Sequence, residues 1–507
     1  MRPVQELTDK LNLPADKWTK KVAFVLSLPS GGRVRRRATA LAACAVALAM
    51  LAGCAVPERQ ALDVRPQAEG SSAAEARGIA APLSEAPPLP ETPSLEDYLG
   101  YAEQNNPALA AARARWAAAV ERVVGERTLP DPMLRFETDL RVGPAGYGVG
   151  VEQMFPWAGK LALRGQAAWE DAEAARQRYE AEKWKLFRMV KDAYYEYYYL
   201  GRQIGVVRDQ RQVVQHMEEA LRTRYSASEA GYSDVIRAQV ELGKMDNDLR
   251  TLVDLQGPVA ARLNSLLNRP PDAAVPWPAE TAPEDLRIAE DEALQRFRQS
   301  NPELAALEHE IAAGQRGVEL AQRDYYPDVT VGLEFMQSSR KGQFGMGPGE
   351  KDPLVAMVSV NLPVWREKLR AGVRGAEARH REAMYTRRDM ENQLAAEIKM
   401  VLYQLRDADR RIDLYRDALV PKGEQSVRAS ETAFLAGTGT FLDVLDAVRI
   451  LLEFELQYQR ALADRGMSTG RLEELLGTPI VGPAGPAGHE APNPEQEAPT
   501  AGPSSAG

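Results

Sequence analysis

Leu134-Arg135-Phe136-Glu137-Thr138-Asp139-Leu140-Arg141-Val142 alternates without a break, apolar residues and one threonine taking turns with four charges. Successive side chains of a strand point to opposite faces, so this stretch predicts a strand with one apolar and one charged face. After Gly143-Pro144-Ala145-Gly146 a second stretch sets Tyr147, Val149, Val151, Gln153 and Phe155 against Gly148, Gly150 and Glu152. Nearly two hundred residues later the pattern returns. Val329, Val331, Leu333 and Phe335 oppose Thr330, Gly332 and Glu334, and beyond a glycine-rich loop Leu354, Ala356, Val358, Val360 and Leu362 oppose Ser359 and Asn361. Each stretch is about nine residues, enough for a tilted strand to cross a bilayer. Alternation alone also fits two half-buried hairpins of a soluble domain.

The long segment after each hairpin weighs between the two. Trp157 to Gly257 runs 101 residues without proline, and Val364–Val420 and Lys422–Thr478 add 57 each, all dense in helix-forming residues. Pro421 sits between the last two, either in the first turn of a renewed helix or at a bend. Glycine-marked breaks near Ser226–Gly231 and Gly437–Gly439 make each segment a helical hairpin. The first arm, Gly159–Tyr225, would extend about 100 Å at 1.5 Å per residue. An ordinary globular core has no use for helices of that length.

The body of the chain is one unit used twice. Asn106-Pro107 returns as Asn301-Pro302 (offset 195), Pro130-Asp131 as Pro327-Asp328 (197), Pro156 as Pro363 (207), and Asp234-Val235 and Leu266-Leu267 as Asp443-Val444 and Leu475-Leu476 (209). Units of about 200 residues are too long for a solenoid repeat and indicate duplication of a half-protein. The predicted organisation is an export signal over 1–53, a lipidated flexible linker over 54–95, repeats over 96–285 and 286–480, and a disordered Pro/Gly/Ala tail over 481–507.

The N-terminal segment carries Arg35-Arg36-Arg37 and then an apolar run from Ala38 to Gly53, the layout of an export signal and too short to span a bilayer comfortably. Residues 1–33 are polar for such a signal, as expected of an over-extended gene start with Val34 as initiator. The first 53 residues hold nine Lys/Arg and three acids, leaving 54 basic and 69 acidic residues, net −15, in the remainder. An acidic body repels phosphate backbones, so nucleic acid is not an expected partner. Mean hydropathy of −0.38 excludes a polytopic helical membrane protein. With Cys44 and Cys54 the only cysteines, and Cys44 inside the signal, the mature chain can form neither an internal disulfide nor a cysteine metal site.

Leu51-Ala52-Gly53-Cys54 resembles a bacterial lipobox, which implies acylation of Cys54. Together with the duplicated order of helix, β-hairpin and long helical hairpin, and the segment Gly437-Thr438-Gly439-Thr440-Phe441-Leu442-Asp443-Val444-Leu445-Asp446-Ala447, residues 93–480 resemble the TolC family of outer-membrane efflux proteins. The resemblance implies a mainly α fold with a membrane β-barrel. Three protomers would each give four strands to one 12-stranded barrel, and their helical hairpins would form a periplasmic α-barrel tunnel. Four strands cannot close a barrel alone, so the chain must oligomerise; the homotrimer is the family's number. The implied function is the exit channel of a tripartite efflux system, with an inner-membrane pump and a periplasmic adaptor as partners, outer-membrane lipid around the barrel, and no cofactor beyond the lipid on Cys54.

The resemblance also puts Asp443 and Asp446 at the narrow periplasmic end. Threefold symmetry would gather six carboxylates there, a cation-attracting ring with mutually raised pKa values; acids at a helix start favoured by the helix dipole are the alternative. Asp234, the first-copy counterpart of Asp443, is expected to support the tip. Some family members lock the tip with a Tyr and an Arg where this sequence has Phe434 and Gly439, so the closed tip must be held otherwise or be less tightly shut. The first repeat's Gln153-Met154-Phe155-Pro156-Trp157-Ala158-Gly159-Lys160 is similar to the heavy-metal-efflux branch.

Other motifs read as structure. Tyr194, Tyr195, Tyr197, Tyr198 and Tyr199 are expected to pack between helices. His309-Glu310 lacks a second histidine at metalloprotease spacing and reads as surface chemistry, and Gly342–Lys351 breaks the phosphate-loop pattern and reads as an extracellular loop. No nucleophile is paired with a base, so a non-enzyme with no metal site is expected. The alternative function is a soluble periplasmic coiled-coil lipoprotein serving as spacer or adaptor. It accounts for the helices and the anchor, but not for the one-sided charge of the strands or the duplication.

Overall fold

Asn106 and Asn301, each followed by proline, start equivalent helices and tie equivalent ends of the chain together in a computed structural model that describes residues 89–138, 147–228, 230–278, 288–337 and 354–480. Asn106 Oδ1 accepts hydrogen bonds from the Ala108 and Leu109 amides at 2.9 and 3.1 Å, and Asn301 Oδ1 accepts one from Leu304 at 2.9 Å. The two side-chain amides donate to the carbonyls of Leu266 and Leu475, both at 2.9 Å. Each repeat is thus closed by the same contact between its Asn-Pro and Leu-Leu landmarks.

The first repeat runs α1 (Leu95–Asn105), α2 (Pro107–Arg127), β1 (Met133–Thr138), β2 (Tyr147–Phe155), α3 (Lys160–Ser226) and α4 (Tyr232–Leu266). The second runs α5 (Glu290–Ser300), α6 (Pro302–Arg323), β3 (Val329–Gln337), β4 (Leu354–Val360), α7 (Arg366–Leu414), a π-helical stretch (Tyr415–Leu419), α8 (Val420–Leu435) and α9 (Phe441–Leu476). The 67-residue α3 is one rod of about 100 Å. Its counterpart spans Arg366 to Leu435 and holds the two residues by which the offset grows from 207 to 209. A π-helical stretch is how an α-helix absorbs an added residue without turning its buried face away. Pro421 lies in the first turn of α8, so of the two expectations the renewed helix is the one that describes it; it follows directly on an irregular turn, and Leu419 and Val420 keep helical backbone angles.

The four strands form one antiparallel sheet in the order β1-β2-β3-β4. Val149 faces Phe335 and Val151 faces Leu333 across the joint between the copies. This register puts Leu134, Phe136, Val149, Val151, Leu333, Phe335, Leu354 and Val358 on one face, and Arg135, Glu137, Glu152 and Glu334 on the other. Three apolar clusters hold the helices: Tyr98, Trp116 and Tyr197 with α1–α4; Phe297, Leu304, Ile398 and Leu472 with α5, α6, α7 and α9; and Val214, Phe434, Phe441 and Val444 near the hairpin turns.

Among the described residues no helix is long and apolar enough to cross a membrane. Cys54 and the export signal, most of the linker, Asp139–Gly146, Gly342–Lys351 and the tail from 481 lie outside the described residues.

Candidate functional site

The turns of the two helical hairpins carry the predicted gate residues. Thr440 precedes α9 and forms a reciprocal cap with Asp443. Thr440 Oγ1 accepts from the Asp443 amide at 3.2 Å, and Asp443 Oδ2 accepts from the Thr440 amide and hydroxyl at 2.9 and 2.7 Å. These bonds, the hydroxyl's foremost, hold the Asp443 carboxyl below its ordinary range, the opposite of the rise expected from a carboxylate ring. Within one protomer the helix-start reading therefore describes Asp443. Asp446, one turn on, is 60% exposed, with Arg449 Nη1 3.8 Å away. Asp234 holds the equivalent place in the first turn of α4, but its N-cap is Gly231, which has no side chain to complete the cap. The carboxylate lies 3.6 Å from Arg237 instead.

The tip is tied by residues that the sequence does not single out. Arg224, in the last turn of α3, donates to the Phe434 carbonyl near the end of α8 and lies over the Phe434 ring with its guanidinium carbon 5.0 Å from the centroid. The Phe434 ring is 4% exposed and meets Phe441 at 6.4 Å. Gly439 is equally confined. Its amide donates to the Ala433 carbonyl at 3.0 Å, and a Cβ there would lie 3.0 Å from that of Ala433 and 3.2 Å from the Phe434 nitrogen. The two positions that lack the polar lock are thus packed, and an arginine at 439 would displace the turn. Further along, Arg449 of α9 forks onto Glu241 of α4 at 3.1 and 2.7 Å, joining the second hairpin to the first. Arg449's hydrogen bonds chiefly lower the Glu241 pKa.

The sheet supplies the second element of the site. Its apolar face is open to the surroundings, with Leu134, Phe136, Leu354 and Val358 between 63% and 74% exposed. On the other face Arg135 meets Glu152 at 2.7 Å. Glycines stand opposite the charges: Gly148 faces Glu137, Gly150 faces Arg135 and Glu334, and Gly332 faces Glu152. A Cβ at Gly148 would come within 2.7 Å of Glu334 Oε1, and one at Gly332 within 2.9 Å of Glu152 Cγ. The missing side chains let the glutamates lie along the sheet. At the sheet's lower rim, Lys160 reaches Asp328 at 3.0 Å and the Tyr326 carbonyl at 3.3 Å, and Trp157 stacks on Tyr326 with centroids 5.4 Å apart. Lys160 and Trp157 belong to the stretch that is similar to the heavy-metal-efflux branch; here both brace the joint between strand and helix.

The tyrosine run packs between helices as expected. Tyr194, Tyr197 and Tyr198 are buried, Tyr197 stacks on Trp277 at 4.4 Å, and Tyr198 Oη donates to Gln459 at 3.2 Å. Burial pushes the Tyr195 hydroxyl up to about 12. His309-Glu310 departs from the surface reading. His309 Nδ1 lies 2.8 Å from Glu170 and Glu310 pairs with Arg178, so both residues join α6 to α3 across the two copies. Among the described residues no three His, Cys, Asp or Glu side chains converge to hold a metal.

A sheet apolar on one face and charged on the other, continuing into helical hairpins whose long arms reach about 100 Å, fits a wall segment of an outer-membrane duct. The chain belongs to the outer membrane efflux protein family, whose model matches residues 99–269 and 293–478. It is 22% identical to the cobalt-zinc-cadmium resistance protein CzcC of Cupriavidus metallidurans, over 76% of this chain and 90% of the relative. It is 24% identical to the pyoverdine export outer membrane protein OpmQ of Pseudomonas putida, over 85% and 96%. The crystal structure of the outer membrane protein VceC of Vibrio cholerae superposes with a TM-score of 0.65 at 20% identity, covering 76% of this chain and 97% of that one. The chain is an outer-membrane exit channel of a tripartite efflux system and not an enzyme. This sets aside the soluble spacer.

Proposed function

We propose that three copies of this chain close a 12-stranded barrel in the outer membrane, each anchored through an acylated Cys54, and that their helical hairpins form a periplasmic tunnel received by an adaptor and an inner-membrane pump. The observation that carries this reading is the four-stranded sheet with an exposed apolar face and two open edges, since about eight strands are the fewest that close a barrel. Asp443 and Asp446 line the constriction. Carboxylates gathered around one axis repel one another, and a ring of six recruits cations. The cap on Asp443 keeps that carboxylate ionised against its neighbours. The likeness to CzcC and the Gln153–Lys160 stretch favour heavy-metal ions as cargo.

Planar-bilayer conductance tests the gate. A multivalent cobalt complex added on the periplasmic side should block the wild-type pore more strongly than monovalent salt does. Asp443→Asn with Asp446→Asn should abolish the block while the trimer persists; block at full strength in that variant would exclude the carboxylate ring. For the anchor, mass spectrometry should find Cys54 as the mature N-terminus. Ala55 follows it where an inner-membrane retention signal would need Asp, and a mature protein cut elsewhere would overturn the assignment.

A further inference from the structure

The register inside one repeat predicts the register inside the other. Moving β1 forward by 197 residues and β2 by 207, the offsets of Pro130-Asp131 and Pro156, turns Met133–Glu152 into Thr330–Ser359 and Leu134–Val151 into Val331–Val358. Both are pairs the sheet contains. The Asn106–Leu266 and Asn301–Leu475 hydrogen bonds repeat in the same way. One operation therefore carries the first copy onto the second, and in a closed ring of such chains the same operation, applied again, would carry the second copy onto the first copy of the next protomer. It converts the β2–β3 joint within a chain into a β4–β1 joint between chains.

Resting on the trimeric reading above, we infer that the open edge of β4 pairs antiparallel with β1 of a second copy of this chain in one fixed register. Val358 lies opposite Phe136 of the partner subunit, Val360 opposite Leu134 of the partner subunit, and Ser359 opposite Arg135 of the partner subunit. These are the images of Val151–Leu333, Gln153–Val331 and Glu152–Gly332. The register joins apolar residues to apolar on the outer face and leaves Arg135 on the inner one, whereas a slip of one residue would put every side chain of one strand on the wrong face. The same operation carries the Arg178–Glu310 ion pair to Tyr385 and the partner subunit's Arg115, so a guanidinium over an exposed ring replaces the salt bridge at the seam.

Disulfide trapping in the full-length membrane-inserted protein tests the register. Within one chain β1 and β4 stand three strand spacings apart, about 14 Å, too far for a disulfide, so any bond between them joins two protomers. Phe136→Cys with Val358→Cys, and independently Leu134→Cys with Val360→Cys, should give covalent dimers and trimers on non-reducing gels after copper-phenanthroline oxidation. Phe136→Cys with Val360→Cys and Leu134→Cys with Val358→Cys, two residues out of step, should give at least about tenfold less, and each single variant should give no cross-link, because the acylated Cys54 carries no free thiol. Trimers by light scattering that cross-link best through an out-of-step pair would overturn the register and leave the trimer standing. Protein that stays monomeric in detergent and shows no cross-link would overturn the trimeric reading itself.

Discussion

Replacing Arg224 by alanine should loosen the tip of the second hairpin. The guanidinium makes a charged hydrogen bond to the Phe434 carbonyl and a ring contact at 5.0 Å. The first is worth about 1.5–3 kcal/mol, since its acceptor lies at the carbonyl end of α8, and the second about 0.5–1 kcal/mol. Both fall on one side chain and do not add fully, so about 2 kcal/mol is the working figure. That raises the equilibrium for local opening of the tip about 30-fold per protomer. Hydrogen exchange of the amides of Gly437, Thr438 and Gly439, which bond to Phe434 and Ala433, should accelerate by that factor, while amides around Tyr197, far up the same helix, should not change. Single-channel recordings should show more frequent spontaneous openings. Arg224→Lys keeps the charge but loses the flat stack and should fall between. Unchanged exchange at Gly437–Gly439 in Arg224→Ala would show that the Arg224 contacts do not hold the turn.

Other contacts lead to three further outcomes. The Arg449–Glu241 tie involves a carboxyl whose pKa is lowered in the folded protein, so its contribution is fully present above the ordinary value of 4.5 and is lost as pH falls through the lowered one. The difference in tip hydrogen exchange between wild type and Glu241→Gln should accordingly be constant from pH 7 to 5 and shrink below pH 4. Gly466→Ala places a Cβ 2.3 Å from the ring of Tyr195, which has little room to yield, and should destabilise by about 1–3 kcal/mol, read as a lower temperature for loss of heat-modified gel migration. Thr440→Ala removes the hydroxyl half of the cap and should cost about 1 kcal/mol of helix-start stability, seen as faster exchange at the Asp443 amide.

Much of this fold is legible in the sequence because its signals are local and come twice. The alternation of Tyr147–Phe155 gives the bounds of β2, and the proline-free run after Trp157 gives α3 to within a residue at each end. Contact at long range is the part that escapes the sequence. Arg224 and Phe434 are 210 residues apart and Arg449 and Glu241 are 208 apart, within one residue of the 209-residue repeat offset, but the repeat only marks such positions as equivalent and does not say that they touch. The glycines opposite Glu137, Glu152 and Glu334 carry a usable signal, because each lies on the charged face of its strand, where an alternating pattern otherwise calls for a polar side chain. The role of His309 is hidden from the sequence because its partner, Glu170, lies in the other copy.

The irregular turn at Tyr415–Leu419 makes the two hairpins mechanically unlike. Alpha-helical bonds run unbroken along all 67 residues of α3, so bending it anywhere strains a complete ladder. In the second copy the ladder is already widened at Tyr415–Leu419, and two residues later Pro421 brings no amide hydrogen to it. Among the described residues this is the one place where a π-helical turn and a proline fall together in a long helical arm. Between it and the tip lie the 16 residues of α8, a lever of about 24 Å. A tilt of about 10° at that fulcrum swings the end of the arm by about 4 Å, while the neighbouring rod stays straight. In a ring built from both kinds of hairpin, staves that carry this joint in their long arm would therefore alternate with staves that do not.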